Sequence, residues 1–347
     1  MDFVFATIGL LILLVAGDSL VRGAVNLSLR LGVPALIVSL TIVAFGTSAP
    51  EMLISVQAVL DGVPGLAMGN VVGSNTANIL LVLGVPALLK GLDTANCDTR
   101  RNFVLMIAAT VLFLALAQGG YFGWPQGLVL LAGLGLMLYS AFREAQTHRR
   151  EVRAQIAAAL AAKGEPLDEA TLEAQAAAEE AGEVEGIDPD MAWWKVFLFL
   201  AIGLIGLPLG AQILVESATS IARDYGVSET VIGLTLVAIG TSLPELATTV
   251  MAAYRNQADV ALGNVIGSNM FNLLAIIGVA SLVGPLPVEP KLLMYDLWVM
   301  LAASLLIAPF VFGGWRMGRV WGIVFVALNL FSDLLYTLLD PRVRRRL

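Results

Sequence analysis

The sequence has one cysteine, Cys97, and one histidine, His148. A lone cysteine excludes an intrachain disulfide and a thiolate metal cluster, and it leaves the redox compartment unread. A lone histidine outside the apolar stretches excludes a histidine proton relay through them. Charge is scarce as well: 14% of the 347 residues are Asp, Glu, Lys or Arg, against 58% hydrophobic residues and a mean hydropathy of +0.84. That balance excludes an ordinary soluble globular domain and makes the bilayer the solvent. No glycine-rich phosphate cradle of the P-loop kind is present, so nucleotide chemistry has no support in the sequence. The formal charge of −7 says little about partners, because most of the acid sits between residues 165 and 190.

A membrane-spanning helix needs about 20 mostly apolar residues. Stretches of that kind run at roughly 3–22, 33–60, 66–89, 102–119, 124–142, 194–221, 228–254, 260–285, 293–312 and 320–339. They predict an all-α polytopic membrane protein of ten transmembrane helices. The first stretch lacks a basic leader, and Asp18 and Arg22 stand where a signal peptide would have a small-residue cleavage site. It is therefore read as helix one.

The one break in hydropathy runs from residue 143 to residue 192 and is rich in Ala, Glu and Arg. Its composition predicts one or two exposed helices joined near Gly164 and Pro166. No EF-hand spacing supports a calcium-sensing role, so it is read as a hydrophilic cytoplasmic linker between residues 1–142 and 193–347. With the N-terminus outside, the loops carrying Arg22, Arg30, Lys90, Arg100, Arg101, Arg143, Arg255, Arg316 and Arg319 fall inside, as does the basic linker. The positive-inside rule favours that orientation. The cluster Arg342, Arg344, Arg345 and Arg346 runs against it, since an even number of spans puts these residues outside.

A search for self-similarity is more informative. LTIVAFGTSAPE at 40–51 recurs as LTLVAIGTSLPE at 234–245, an offset of 194 residues. With no gap, AMGNVVGSNTANILLVLG at 67–84 then aligns with ALGNVIGSNMFNLLAIIG at 261–278. Across 40–84 and 234–278, 21 of 45 positions are identical, including Thr, Ser, Pro, Glu, Asn and Gly. Shared hydrophobicity does not produce such matches, so the chain is a duplication. Five predicted spans separate equivalent positions, and an odd number inverts the second copy. Two inverted-topology five-helix repeats are the architecture of secondary transporters, with the substrate site at mid-membrane where the repeats meet.

Each copy puts a proline and a glutamate in the middle of an apolar span: Pro50 and Glu51, then Pro244 and Glu245. Proline deletes a helical hydrogen bond. An ionisable group at the bilayer centre costs roughly 3 kcal/mol or more. Both features make sense where a broken helix lines a polar cavity and frees carbonyls for a cation, with Ala44 and Ala238 as the carbonyl donors. Hard cations such as Ca²⁺ and Na⁺ take oxygen ligands. Thr47, Ser48 and Glu51 lie within one helical turn, and Thr241, Ser242 and Glu245 repeat the set. Ser74 with Asn78, and Ser268 with Asn272, share a face of the following span, while Asn70, Asn75, Asn264 and Asn269 are further amides for the broken backbone or the pathway. Two carboxylates balance one Ca²⁺, two Na⁺ or two protons. A hydrolase would use two carboxylates as acid and base, but coordination accounts for the surrounding hydroxyls and amides too. A channel filter would more usually surround an oligomeric axis. For the GxxxG spacings Gly69 to Gly73 and Gly263 to Gly267, close helix packing is the simpler reading. Asp18 and Arg22, four apart, are read as a pair.

GTSAPE with GNVVGSNTAN, and GTSLPE with GNVIGSNMFN, resemble the two alpha-repeats of the calcium/cation antiporter superfamily, most closely its prokaryotic calcium/sodium antiporter branch. The resemblance implies Ca²⁺ and Na⁺ as substrates, with K⁺ or H⁺ as alternative coupling ions, no cofactor, no nucleic acid and no obligate protein partner. It implies a place in the cell inner membrane and exchange by alternating access, without enzymatic chemistry. Its ligand set falls here on Glu51, Glu245, Thr47, Ser48, Thr241, Ser242, Ser74, Ser268, Asn78 and Asn272, with the Ala44 and Ala238 carbonyls. It further implies that helices one and six slide over a core of helices two, three, seven and eight. Relatives often carry Asp at one of the positions that are Asn78 and Asn272 here, which leaves the coupling ion open. The proton/calcium branch tends to carry Glu after its GN pair, where this chain has Val71 and Val265.

Overall fold

The computed structural model describes residues 1–95, 97, 99–163, 191–225 and 238–339. It is helical almost throughout. In chain order the helices are α1 (Asp2–Leu31), α2 (Ala35–Thr47), α3 (Ala49–Leu60), α4 (Pro64–Leu89), α5 (Arg100–Ala117), α6 (Trp124–Lys163) and α7 (Trp193–Asp224). Then come the single turn α8 (Ala238–Thr241), α9 (Leu243–Tyr254), α10 (Ala258–Val283), α11 (Leu292–Phe312) and α12 (Arg319–Leu339). Among the described residues, 7 helices are long and apolar enough to cross a bilayer, and α2 with α3 make an eighth span bent by 43°. The remaining two expected spans are the seventh, whose start lies outside the described residues, and α12, which is apolar over the shorter stretch Arg319–Ser332.

The hydropathy break at residue 143 is not a backbone break. Helix α6 continues through it to Lys163, because Ala, Arg, Gln and Glu all favour helix. The expected joint at Gly164 and Pro166 and the basic cluster after residue 341 lie outside the described residues.

The two copies fold alike at the same 194-residue offset. Ala49–Leu60 corresponds to Leu243–Tyr254, and Pro64–Ala77 to Ala258–Phe271. Each of the latter passes into a π-helical turn, Asn78–Val82 and Asn272–Ile276. The helix breaks match in torsion too, with Ser48 at φ −85°, ψ 2° and Ser242 at φ −90°, ψ 2°.

The inversion is visible in the loops. Strand β1 (Tyr121–Phe122), beyond the C-terminal end of α5, pairs with β2 (Leu286–Pro287). At the N-terminal end of α5, Leu92 bridges to Met317, Arg316 binds Asp93 at 2.9 Å, and the Lys90 ammonium donates to the Tyr254 carbonyl at 2.5 Å. The turn after α9 therefore joins the second end. Its counterpart after α3 joins the first, where a Cβ on Gly65 would lie 3.4 Å from Glu289. Loops assigned by charge to the same side of the membrane thus gather at the same end of the molecule.

Helices α1 and α7 cross antiparallel at near backbone contact. A Cβ on Gly203 would sit 2.5 Å from that of Leu20, and one on Gly210 would sit 2.9 Å from the Leu13 nitrogen. Both helices leave large apolar side chains exposed, such as Phe5, Leu11, Phe197 and Ile205, as lipid-facing helices do. Asp18 pairs with Arg22 at 3.0 Å, as expected, and also with Arg255 at 2.5 Å, which ties α1 to the end of α9. Nearly all of α10, by contrast, is enclosed. A Cβ on Gly263 would lie 2.8 Å from the Leu36 carbonyl, and one on Gly267 would collide with Leu40. These glycines let α2 and α10 touch, in keeping with a packing role for that GxxxG spacing. Around Gly69 and Gly73, the first-copy equivalents, no described atom comes within 4 Å of an added Cβ.

Candidate cation site

The breaks at Ser48 and Ser242 aim the starts of α3 and α9 into the interior. Pro50 and Pro244 occupy the second helical positions, where a missing N–H does least harm. One residue later come Glu51 and Glu245, each about 1% exposed. Thr47, Ser48, Ser242, Ser74, Ser268, Asn78 and Asn272 are buried with them, and Thr241 is half-buried.

Contacts between the copies bring Thr47 and Ser48 together with Asn264, Ser268 and Glu245. The Ser48 hydroxyl donates to Glu245 Oε1 at 3.3 Å. The Thr47 hydroxyl lies 3.2 Å from Asn264 Oδ1, 3.5 Å from the Ser268 hydroxyl and 3.3 Å from the Ala44 carbonyl. That carbonyl also accepts the Ser48 amide at 3.0 Å. Ala238, its counterpart, opens the turn of α8. Ser74 lies one turn before Asn78 on α4 and is connected to it through the backbone.

The asparagines split into two symmetric roles. Asn70 donates to the Glu51 carbonyl at 3.5 Å and to the Ser55 hydroxyl at 3.2 Å, and Asn264 donates to the Glu245 carbonyl at 3.4 Å and the Thr249 hydroxyl at 3.2 Å. Each thus brackets the turn that carries a carboxylate. Asn75 and Asn269 reach across the molecule, each donating to the other's backbone carbonyl, at 3.1 and 3.2 Å. Their side-chain oxygens accept the amide groups of Asn272 at 3.0 Å and Asn78 at 3.1 Å.

Ser55 and Thr249 escape a search for identical residues, because Ser faces Thr at that aligned position. Reading the alignment for hydroxyl groups would have found them.

Several oxygens in this cluster are buried without a hydrogen-bond partner: Glu51 Oε2, Glu245 Oε2, Asn78 Oδ1, Asn272 Oδ1 and Ser242 Oγ. All belong to the residues singled out from the duplicated motifs. Buried polar atoms are normally satisfied, so unpartnered oxygens on matching residues of both copies are a set that a cation could satisfy. Among the described residues no group of three or more His, Cys, Asp and Glu could hold a metal. Here neutral hydroxyl and amide oxygens complete the set around two carboxylates, a composition suited to hard cations.

Apolar spanning helices in two inverted copies, with unpartnered buried oxygens on matching residues of both, are the build of a multi-pass membrane ion transporter. The chain belongs to the sodium/calcium exchanger family, whose model, described as Sodium/calcium exchanger protein, matches residues 1–143 and 195–335. The match stops and resumes on either side of the hydrophilic segment. Among relatives, the chain is 35% identical over 302 residues to the putative antiporter CaxA of Alkalimonas amylolytica, covering 87% of each. It is 33% identical over 333 residues to the sodium/calcium exchanger MaX1 of Methanosarcina acetivorans, covering 93% of this chain and 95% of the other. Its fold is similar to that of the sodium-calcium exchanger NCX_Mj soaked with zero Na⁺ and Ca²⁺, with a TM-score of 0.76 and 28% identity over 96% of this chain and 98% of that one.

Proposed function

We propose that this protein exchanges Ca²⁺ for Na⁺ by alternating access, extruding cytoplasmic Ca²⁺ as external Na⁺ enters. The ligand set is Glu51, Glu245, Thr47, Ser48, Thr241, Ser242, Ser74, Ser268, Asn78 and Asn272, with carbonyls from Ala44 and Ala238. Ala44 joins by exchanging its Thr47 hydrogen bond for the ion. The observation that carries this reading is that equivalent residues of both copies, Glu51 with Glu245 and Asn78 with Asn272, each keep a buried oxygen without a hydrogen-bond partner. Two negative charges in a dry interior repel each other and favour a dication, or two monovalent ions, over an empty site. Ca²⁺ and Na⁺ then compete for the same oxygens, which is the condition for exchange. The printed names of MaX1 and NCX_Mj, both sodium/calcium exchangers, point the same way.

The pairing at the site is unequal. Ser48 donates to Glu245, whereas the equivalent Ser242 hydroxyl has no partner. Such a difference between otherwise matching halves fits a carrier caught on one side of its cycle. The proposed setting is the cell inner membrane, with the N-terminus outside and the 143–192 segment in the cytoplasm. A second reading is proton coupling, or exchange of another divalent cation, on the same scaffold. It is favoured by Asn at both 78 and 272, which leaves only two site carboxylates.

The test is ⁴⁵Ca²⁺ uptake into proteoliposomes under imposed Na⁺, K⁺ or pH gradients, beside Glu51→Gln and Glu245→Gln. Uptake is expected to follow the Na⁺ gradient and to be lost in both variants. Full-speed transport in both variants refutes the site. Uptake that follows only the pH gradient selects the second reading.

A further inference from the structure

We infer that Asn75 and Asn269 are positioning residues that make Asn78 and Asn272 face the transported cation with their oxygens. This rests on the cation-exchange reading above and adds residues that sit outside its ligand set.

A carboxamide has a donor end and an acceptor end of nearly equal size, and only the acceptor end can ligate a cation. Something must choose between them. The choice here starts at two backbone carbonyls, which can only accept. The Asn75 amide nitrogen donates to the Asn269 carbonyl at 3.1 Å, so its Oδ1 is left to face Asn272. An oxygen facing Asn272 obliges Asn272 to turn its nitrogen inward, and that bond forms at 3.0 Å. Asn272 Oδ1 is then the buried atom without a partner. The same logic runs in mirror image from the Asn75 carbonyl through Asn269 to Asn78, at 3.2 and 3.1 Å, and leaves Asn78 Oδ1 unpartnered. All four side chains are about 1% exposed, so water does not compete for these bonds. Without Asn75, nothing stops Asn272 from presenting N–H groups to a cation, which repels it.

The test uses the full-length protein in proteoliposomes, with KM for Ca²⁺ and maximal rate measured under a fixed Na⁺ gradient. Groups that orient a metal ligand are typically worth about ten- to a hundredfold in affinity. Asn75→Ala and Asn269→Ala are therefore expected to raise the KM for Ca²⁺ by at least about tenfold, with a smaller change in maximal rate. An aspartate presents an oxygen whichever way it turns. Asn75→Ala made on Asn272→Asp should then leave the KM of that variant unchanged, and Asn269→Ala made on Asn78→Asp should do the same. The crossed pairs, Asn75→Ala with Asn78→Asp and Asn269→Ala with Asn272→Asp, should keep the full KM penalty. If alanine prevents folding, Asn75→Ser and Asn269→Ser take its place with the same expected pattern. An equal penalty in all backgrounds, or none in any, overturns the inference while Glu51→Gln still abolishes exchange. Exchange that survives Glu51→Gln fails the underlying reading instead.

Discussion

Glu51 and Glu245 are sealed from water, yet each keeps a carboxylate oxygen with no hydrogen-bond partner. For a carboxylate that serves only structure this would be a costly arrangement, because an unsatisfied buried charge loses its hydration for nothing. Under the proposed function, their hydroxyl and amide neighbours complete a ligand set that offsets this cost when a cation binds. Cys97 shows the opposite use of burial. It lies in the loop before α5, and burial, followed by the charge and hydrogen bonding of Asp259, holds its thiol well above the usual range. Since only the thiolate attacks alkylating reagents, Cys97 is expected to react with a maleimide far more slowly at pH 7 than a free thiol. Unfolding in detergent and denaturant should restore the rate, as read by mass shift. Fast labelling of the folded protein contradicts this assignment.

At the scale of elements, the GTSxPE segments do two things at once. The proline ends one helix and starts the next, and the glycine before it lets a neighbour come close. A Cβ on Gly46 would collide with Leu204, and one on Gly240 would lie 2.5 Å from Val215, both side chains of α7. Helix α7 thus packs on both breaks. Its own crossing with α1 depends on Gly203, and Gly203→Val would drive a branched side chain into Leu20. Overpacking of this kind typically costs about 1–3 kcal/mol. The expected result is a lower melting temperature in detergent together with a loss of ⁴⁵Ca²⁺ exchange; unchanged values for both would show that α1 and α7 separate freely. The breaks and carboxylates were legible in the sequence, because a charge or proline inside an apolar span is conspicuous. The π-helical turns that begin at Asn78 and Asn272 were not. They begin three residues after Asn75 and Asn269, which bond across from α4 to α10, and no local pattern announces them. Ser55 and Thr249 were likewise invisible to a comparison of identities. The uninterrupted run of α6 through residue 143 was missed because hydropathy reports solvent and not backbone.

For the molecule as a whole, the duplication and the inverted arrangement were legible from one offset and an odd number of spans. Which end faces the cytoplasm rests on the distribution of Lys and Arg. A Cys97→Ser background carrying either Tyr121→Cys or Arg100→Cys tests it, since both positions are exposed and lie at opposite ends of α5. In right-side-out vesicles an impermeant maleimide should label position 121 and spare position 100, with the reverse in inverted vesicles. The opposite pattern would invert the orientation proposed here. The cross-links between Asn75, Asn78, Asn269 and Asn272 carry a last implication. Each bond has one end in the front half of the polypeptide and the other in the back half. Descendants of a doubled gene can usually drift apart position by position, but at this knot a change in one half alters what its twin can present. A substitution at any one of these four asparagines therefore changes the hydrogen bonding of a residue 191 to 197 positions away in the other half.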